Sequence, residues 1–445
     1  MNDSFDPRSY GAVADGRTKD TAAVQAAIDA AAAQGGTVRL AGGIFVCGTL
    51  YLKSNVALEI TNSATLLASP NIADYGTDTH HNRYRNEPEL DRCFLFAQDA
   101  ENVTICGSGV IDGNAAAFPN AGSIYRPMLL RVLRCRNVRV TGLRLLNAAA
   151  WTTAFLDSDF IWATDLHIEN HRNYNGDGLD FDGCRHVWVR GCYIDGTDDN
   201  LCLQSSGLPV QDVHISDCAF TSVCAGIRIG LKSIGGISGV GISNCTMRNV
   251  WREGIKLECT EGGSITDILV ENVTMHNVRR PIFAILNNRY RPDDLGSSVE
   301  LDHIPPIGTM ARLRFVGITA VDDEEMAHAQ RRFDNNIMGE PRFGGCRFDA
   351  NAAHPIQDVT IRDFRYTAIG GVRLSDLPAA PYPEVPDHLQ APTAPGSENY
   401  YPNWSRTTHL DARNVRGLTL ENLHFNTLHP DERPKMLTEG PTVML

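Results

Sequence analysis

Four segments decide the fold: His186-Val187-Trp188-Val189, Asp212-Val213-His214-Ile215, Gly239-Val240-Gly241-Ile242 and Asp267-Ile268-Leu269-Val270. Each sets aliphatic residues at alternate positions, the period-two signature of a half-buried strand. Val187, Val213, Val240 and Ile268 lie 26, 27 and 28 residues apart. Earlier copies are Asn102-Val103-Thr104-Ile105, followed by Gly109-Val110-Ile111-Asp112-Gly113, and Asn137-Val138-Arg139-Val140, followed by Leu143-Arg144-Leu145-Leu146-Asn147. Later copies, Asp358-Val359-Thr360-Ile361 and Gly417-Leu418-Thr419-Leu420, are separated by longer insertions. Short strands at a period in the twenties, with no helix between them, predict a solenoid of β coils that bury their apolar faces against one another. The expected fold is all-β: a single-stranded right-handed parallel β-helix. A sandwich would need hairpins, and Asn-Gly turns are sparse. An α/β barrel would need an amphipathic helix after every strand.

One helix is predicted, Asp20 to Ala32, with Val24, Ala27, Ile28 and Ala31 on one stripe and Gly35-Gly36 ending it. It would cap the open end of the solenoid within an N-terminal capping region, residues 8–40. The 445 residues are read as a single β-helix domain, residues 1–445, with three insertions. Residues 75–92 carry His80, His81, Arg83, Tyr84 and Arg85, and residues 287–312 carry Arg289, Tyr290 and Arg291. Residues 370–412 are Pro-rich and hold Tyr400, Tyr401 and Trp404. Insertions on a rigid repeat often build the binding surface.

A formal charge of −13 leaves no basic excess for general nucleic-acid binding. An anionic substrate would need a local basic patch. No apolar stretch approaches the length of about 20 residues that spans a membrane. Met1-Asn2-Asp3-Ser4-Phe5-Asp6-Pro7 lacks the basic and apolar regions of a signal peptide. The expectation is a cytoplasmic chain, or a secreted or periplasmic one whose signal has been removed. The 12 cysteines show no CxxC and no zinc-finger spacing, which predicts buried free thiols and no structural zinc.

The chemistry is concentrated in two stretches. The first is Asn175-Gly176-Asp177-Gly178-Leu179-Asp180-Phe181-Asp182; the second is Asp195-Gly196-Thr197-Asp198-Asp199-Asn200. Asp177 and Asp198 are 21 residues apart, one coil, which stacks them about 4.8 Å apart along the axis. Crowded carboxylates resist simultaneous ionisation, so a protonated acid can stand beside an ionised base. Glycosidic hydrolysis needs that pair, and a separation of about 6.5–9.5 Å admits the water that inverts the anomeric centre. Aspartates beside glycine also form ordinary turns, and clustered aspartates also bind calcium.

At these residues the chain resembles the polygalacturonase family of glycoside hydrolases, over about residues 8–290. Tyr10-Gly11-Ala12-Val13-Ala14-Asp15-Gly16 and the helix after it are similar to the opening of many pectin-active β-helix proteins. The family's Asn-Thr-Asp resembles Asn175-Gly176-Asp177, and its Gly-Asp-Asp resembles Thr197-Asp198-Asp199. The resemblance implies Asp198 as general acid, with Asp177 and Asp199 activating water. Two positions depart. The family's Gly-His-Gly aligns with Cys224-Ala225-Gly226, and its Arg-Ile-Lys, whose cations grip a uronate carboxylate, aligns with Gly254-Ile255-Lys256. These departures put plain polygalacturonan in question. A downstream tyrosine of the family matches Tyr290, with Asn287 in place of a glutamine.

Alternation within Gly226-Ile227-Arg228-Ile229-Gly230 and Ile255-Lys256-Leu257-Glu258 points Arg228, Lys256 and Glu258 away from the core. Arg228 and Lys256 could form the basic patch, or Arg228 and Glu258 an ion pair worth little. The substrate-binding candidates are therefore Asn175, Arg228, Lys256, Glu258, Asn287 and Tyr290. The expected function is an inverting, exo-acting glycoside hydrolase on a pectic or related acidic oligosaccharide or polysaccharide, with no metal and no cofactor. The alternatives are a calcium-dependent polysaccharide lyase or epimerase on the same fold, and a non-catalytic carbohydrate-binding β-helix. Oligomeric state is not encoded in any motif.

Overall fold

The computed structural model describes residues 3–79, 92–120, 125–288, 305–327, 344–379 and 405–440. It divides into two compact units, Met1–Asp198 and Asp199–Leu445. Both are built from coils of a parallel β-helix. Among the described residues no helix is long and apolar enough to cross a membrane.

In the first unit the predicted valines stack as expected. Val103, Val138, Ile161 and Val187 are successive partners in parallel strands. A second column runs Leu66, Ile111, Leu145, Ile168 and Ile194. A third runs Ala97, Val132, Phe155 and Phe181. Three columns of one residue per coil make the three-sided core, and nearly every member is withdrawn from water. The Phe155 and Phe181 rings stack nearly parallel with centres 4.9 Å apart, an arrangement worth about 0.5–1.5 kcal/mol beyond burial.

The residue before each column valine turns the chain. Asn55, Asn102, Asn137, Phe160 and His186 all have φ between 56° and 62°, the left-handed region that Asn tolerates best. The asparagines bond to one another, Asn137 Nδ2 donating to Asn102 (2.6 Å) and Asn102 Nδ2 to Asn55 (2.8 Å). Phe160 and His186 compensate by stacking at 4.5 Å. The helix spans Thr21–Ala32, one residue shorter than predicted, with Asp20 as its N-cap residue. The Asp20 carboxylate accepts from Val13 and Ala14 N–H instead of from the helix. The buried stripe Ala23, Val24, Ala27, Ile28 and Ala31 packs against strands Asp3–Phe5, Gly36–Leu40, Leu50–Leu52 and Val56–Ile60.

In the second unit one column runs through Val213, Val240, Ile268, Leu313, Val359 and Leu418. It reaches both late copies of the repeat. The turn residue before them is Asp212, Gly239, Asp267, Arg312, Asp358 or Gly417, again with positive φ. Arg312 is held there by paired hydrogen bonds to Asp267, at 2.6 and 2.7 Å.

All twelve cysteines are free thiols, and all but Cys106 are buried. Burial pushes the thiols of Cys93, Cys259 and Cys346 up to about 12. Thiolate is the reactive form. The native protein is therefore expected to react with Ellman's reagent at about one site, Cys106, and at all twelve only after denaturation.

Asp322 is a buried carboxyl in the second unit. Its Oδ2 accepts from Ile369 N–H at 3.0 Å. Burial pushes its pKa up to about 7 from 3.8, against that hydrogen bond and with the charge of Asp323 adding to the rise. Between these values the folded protein keeps a proton that the unfolded chain has lost, so stability falls as pH rises from about 4 to about 7. Asp322→Asn should melt with the wild type at pH 4 and several degrees above it at pH 8, read by thermal denaturation.

Candidate active site

In the first unit the site grows from the turns ahead of two strand positions one coil apart. Leu179–Asp182 is a strand whose Leu179 and Phe181 enter the core, so Asp180 and Asp182 face outward; all four are buried. Asn175, Gly176 and Asp177 lead into it. Asp177 is buried, while Asn175 and Asp198 are half-buried. The backbone carbonyl of Asp177 accepts from both N–H and Oγ1 of Thr152, at 3.0 and 2.6 Å. Thr152 Oγ1 accepts in turn from Asn170 Nδ2. This fixes the chain that carries Asp177.

The next coil is locked to the first by Thr197. Its hydroxyl accepts from Gly176 N–H (2.8 Å) and donates to Asn173 O (2.6 Å). One residue along, Asn175 Nδ2 donates to Asp198 Oδ2 at 3.3 Å. The one-coil spacing predicted Asp177 beside Asp198; the side-chain bond made here joins Asn175 to Asp198.

Gly176 and Thr197 explain each other. A Cβ on residue 176 would sit 2.5 Å from Thr197 Oγ1 and 3.1 Å from Asn170 Cβ. The family motif has threonine in the first coil and glycine in the second; this chain has glycine first and threonine second. The Thr197 hydroxyl stands where a side chain at 176 would begin.

In the second unit Asp199 is fully buried. Its Oδ1 accepts from Ala225 N–H at 3.3 Å, and its Oδ2 pairs with Arg228 Nη1 at 2.7 Å. Arg228 is thus ion-paired with Asp199, and Glu258 with Lys256 at 3.4 Å. In the ladder Arg228 stands opposite Lys256, and Glu258 opposite Gly230. Lys256 and Glu258 point out of the core as expected but have no exposed surface. Asn287 follows strand Ser264–Leu286, is buried, and donates its N–H to Cys259 O. Tyr290 lies outside the described residues, as do His80, His81, Arg83, Tyr84, Arg85, Arg289, Arg291, Tyr400, Tyr401 and Trp404.

Sequence reading missed a buried cationic cluster. Glu253 pairs with Arg280 at 3.3 Å, Arg252 at 3.6 Å and Lys256 at 3.7 Å. Burial pushes the Glu253 carboxyl up, but Lys256, Arg252, Arg280 and Arg279 together outweigh it and hold it below its usual value. Arg279 is pushed down to about 9 by burial and by the neighbouring Arg280 charge. The legible signal was Arg252-Glu253 and Arg279-Arg280, paired charges ending runs of alternation.

Residues 48–300, more than half of the chain, match the profile of Glycosyl hydrolases family 28. The chain belongs to that family. A probable polygalacturonase of Vitis vinifera is 26% identical over 303 residues, 61% of this chain and 60% of its own length. An exo-poly-alpha-D-galacturonosidase of Dickeya chrysanthemi is 26% identical over 243 residues, 43% of this chain and 40% of its own. The chain therefore spans about three-fifths or less of these curated relatives. Among solved structures, an exopolygalacturonase from Thermotoga maritima superposes with a TM-score of 0.68 at 19% identity, covering 96% of this chain and 92% of its own. A polygalacturonase from Erwinia carotovora gives 0.64 at 20% identity, covering 82% and 94%. Both likenesses are of fold: the family 28 chain shares their parallel β-helix.

The Gly176–Thr197 exchange is testable by a double-mutant cycle in this family 28 scaffold. Gly176→Thr alone should destabilise by about 1–3 kcal/mol through overpacking. Adding Thr197→Gly should recover stability, with a coupling of at least about 1 kcal/mol in denaturant unfolding.

Proposed function

We propose that the protein is a glycoside hydrolase that cleaves a glycosidic bond in a pectic or related acidic oligosaccharide or polysaccharide, with inversion and from a chain end. Asp198 donates its proton to the glycosidic oxygen as the C1–O bond breaks. Asp177 and Asp199 accept a proton from water as its oxygen bonds C1 from the opposite face. Asn175 orients Asp198. Arg228, with 13% of its side chain exposed, offers the local positive charge that an acidic sugar requires. Lys256 and Glu258 act from beneath, and Asn287 and Tyr290 complete the substrate contacts.

The observation that carries this reading is the bonding of Asn175-Gly176 to Thr197-Asp198, which seats the two acidic motifs one coil apart with a side-chain donor on the acid. The Dickeya relative is named an exo-poly-alpha-D-galacturonosidase, which supports exo-action. The cations around Glu253 support an acidic substrate. Alanine at position 225 and glycine at 254 put plain polygalacturonan in question as the substrate.

The test is a panel of defined pectic oligosaccharides read by reducing-end release and by proton NMR of the first-formed anomer. Wild type should release an inverted product. Asp198→Asn should lower kcat about a hundredfold or more, the scale of general acid catalysis. Equal turnover by the variant, or an unsaturated product absorbing in the ultraviolet, would overturn the reading.

A further inference from the structure

We propose that Arg126 is a positioning residue for Asp198, acting through the side-chain amide of Asn175. This rests on the reading of Asp198 as the general acid. Arg126 is among the largest fully buried side chains, with 1% of its surface exposed. Its guanidinium is anchored on three sides. Nη1 donates to Tyr174 O at 2.6 Å and to Ala149 O at 3.3 Å, and the group lies 4.1 Å from the centre of the Tyr174 ring. Tyr174 is fixed in turn by its N–H to Asn120 Oδ1 at 2.9 Å. The remaining fork nitrogen, Nη2, donates to Asn175 Oδ1 at 3.1 Å.

Arginine has donors and no acceptor. It can therefore engage only the oxygen of the Asn175 amide. That choice turns the nitrogen end, Nδ2, toward Asp198 Oδ2 at 3.3 Å. Released from Arg126, the amide could present either end, and the oxygen end would repel an ionised Asp198. Asn175 sits at φ 53°, a turn conformation suited to Asn. The side chain therefore starts from a fixed backbone and is steered by a fixed partner.

The consequence for the acid is a choice between its two oxygens. Oδ2 accepts the Asn175 N–H, so the proton for the leaving group is carried on Oδ1. A single defined donor atom is what proton transfer in the transition state requires. In this proposal Arg126 acts through Asn175 rather than on a reacting atom.

Two measurements test this on the full chain. First, crystal structures of wild type and Arg126→Met should show the Asn175 amide withdrawn from Asp198 in the variant. Retention of the Asn175–Asp198 contact without Arg126 would overturn the proposal, whatever the activity. Second, on the best oligosaccharide of the panel, Arg126→Met should lower kcat tenfold to a hundredfold with KM within about twofold. Asn175→Ala should do the same, and the double variant should be no slower than Asn175→Ala alone. Losses that multiply in the double variant would show Arg126 acting by another route and overturn the proposal. If Arg126→Met does not fold, Arg126→Lys keeps the charge without the fork and is expected to show the same structural and kinetic pattern. Wild-type turnover by Asp198→Asn would refute the catalytic reading instead, and the crystal comparison would still decide the role of Arg126.

Discussion

Everything in each unit depends on parallel pairing of one coil with the next. The hydrogen-bond ladder fixes neighbouring strands about 4.8 Å apart and sets each residue against its equivalent one repeat later. A column such as Val103, Val138, Ile161 and Val187 is a direct product of that rule. So are the left-handed turns. Each coil must bend just before the column valine, and the position is filled by Asn, Asp or Gly in most coils because the bend demands positive φ. Where a bulky residue takes the place, a stacked neighbour or an ion pair supports it, as with Phe160 on His186 and Arg312 on Asp267.

The same rule governs charge. A strand that faces outward with polar residues repeats that choice in the next coil, and the charges become neighbours. In the second unit this yields Arg228 opposite Lys256, then Glu253 opposite Arg280. Buried ions of this kind cost several kcal/mol of desolvation each, so they are poor sources of stability. Their value is local field. A chain of formal charge −13 still gathers Arg252, Arg279, Arg280 and Lys256 around one carboxylate. Overall charge therefore says little about the local field, which a few clustered cations set.

The fold was legible because its signal is repeated. Period-two alternation at Val213, Val240 and Ile268 recurs often enough that no single exception, such as Arg312 in a turn, obscures it. The helix was legible from its alanine stripe, though Asp20 spends its carboxylate on Val13 and Ala14 rather than on the helix. The site was legible in part. Counting one coil along the chain pairs Asp177 with Asp198, and the bonds found there join Asn175 to Asp198 and Gly176 to Thr197. The Asp199–Arg228 pair was hidden because alternation gives the face of a side chain but not which of several outward neighbours it meets. Arg126 was hidden more deeply. It lies 49 residues from Asn175, next to a proline rather than in a repeat, and its role depends on backbone carbonyls that carry no sequence mark.

Motifs in such a fold are properties of stacked pairs of coils, not of continuous stretches. Read along the chain, Asn175-Gly176-Asp177 lacks the family's threonine and Thr197-Asp198-Asp199 lacks its glycine, two separate departures. Read across the coils they are one substitution, because the hydroxyl at 197 fills the space that a side chain at 176 would need. Thr197 Oγ1 stands where a Cβ on residue 176 would come, so one side chain fills the space between the coils. The Cys224-Ala225-Gly226 and Gly254-Ile255-Lys256 departures have no such partner: Ala225 is fully buried and offers Asp199 only a backbone N–H, and no side chain at 225 or 254 replaces the lost imidazole or guanidinium. For the proposed hydrolase, an exchange made good across the coils is expected to leave the reaction unchanged, whereas the departures at 225 and 254 are expected to bear on which sugar is bound.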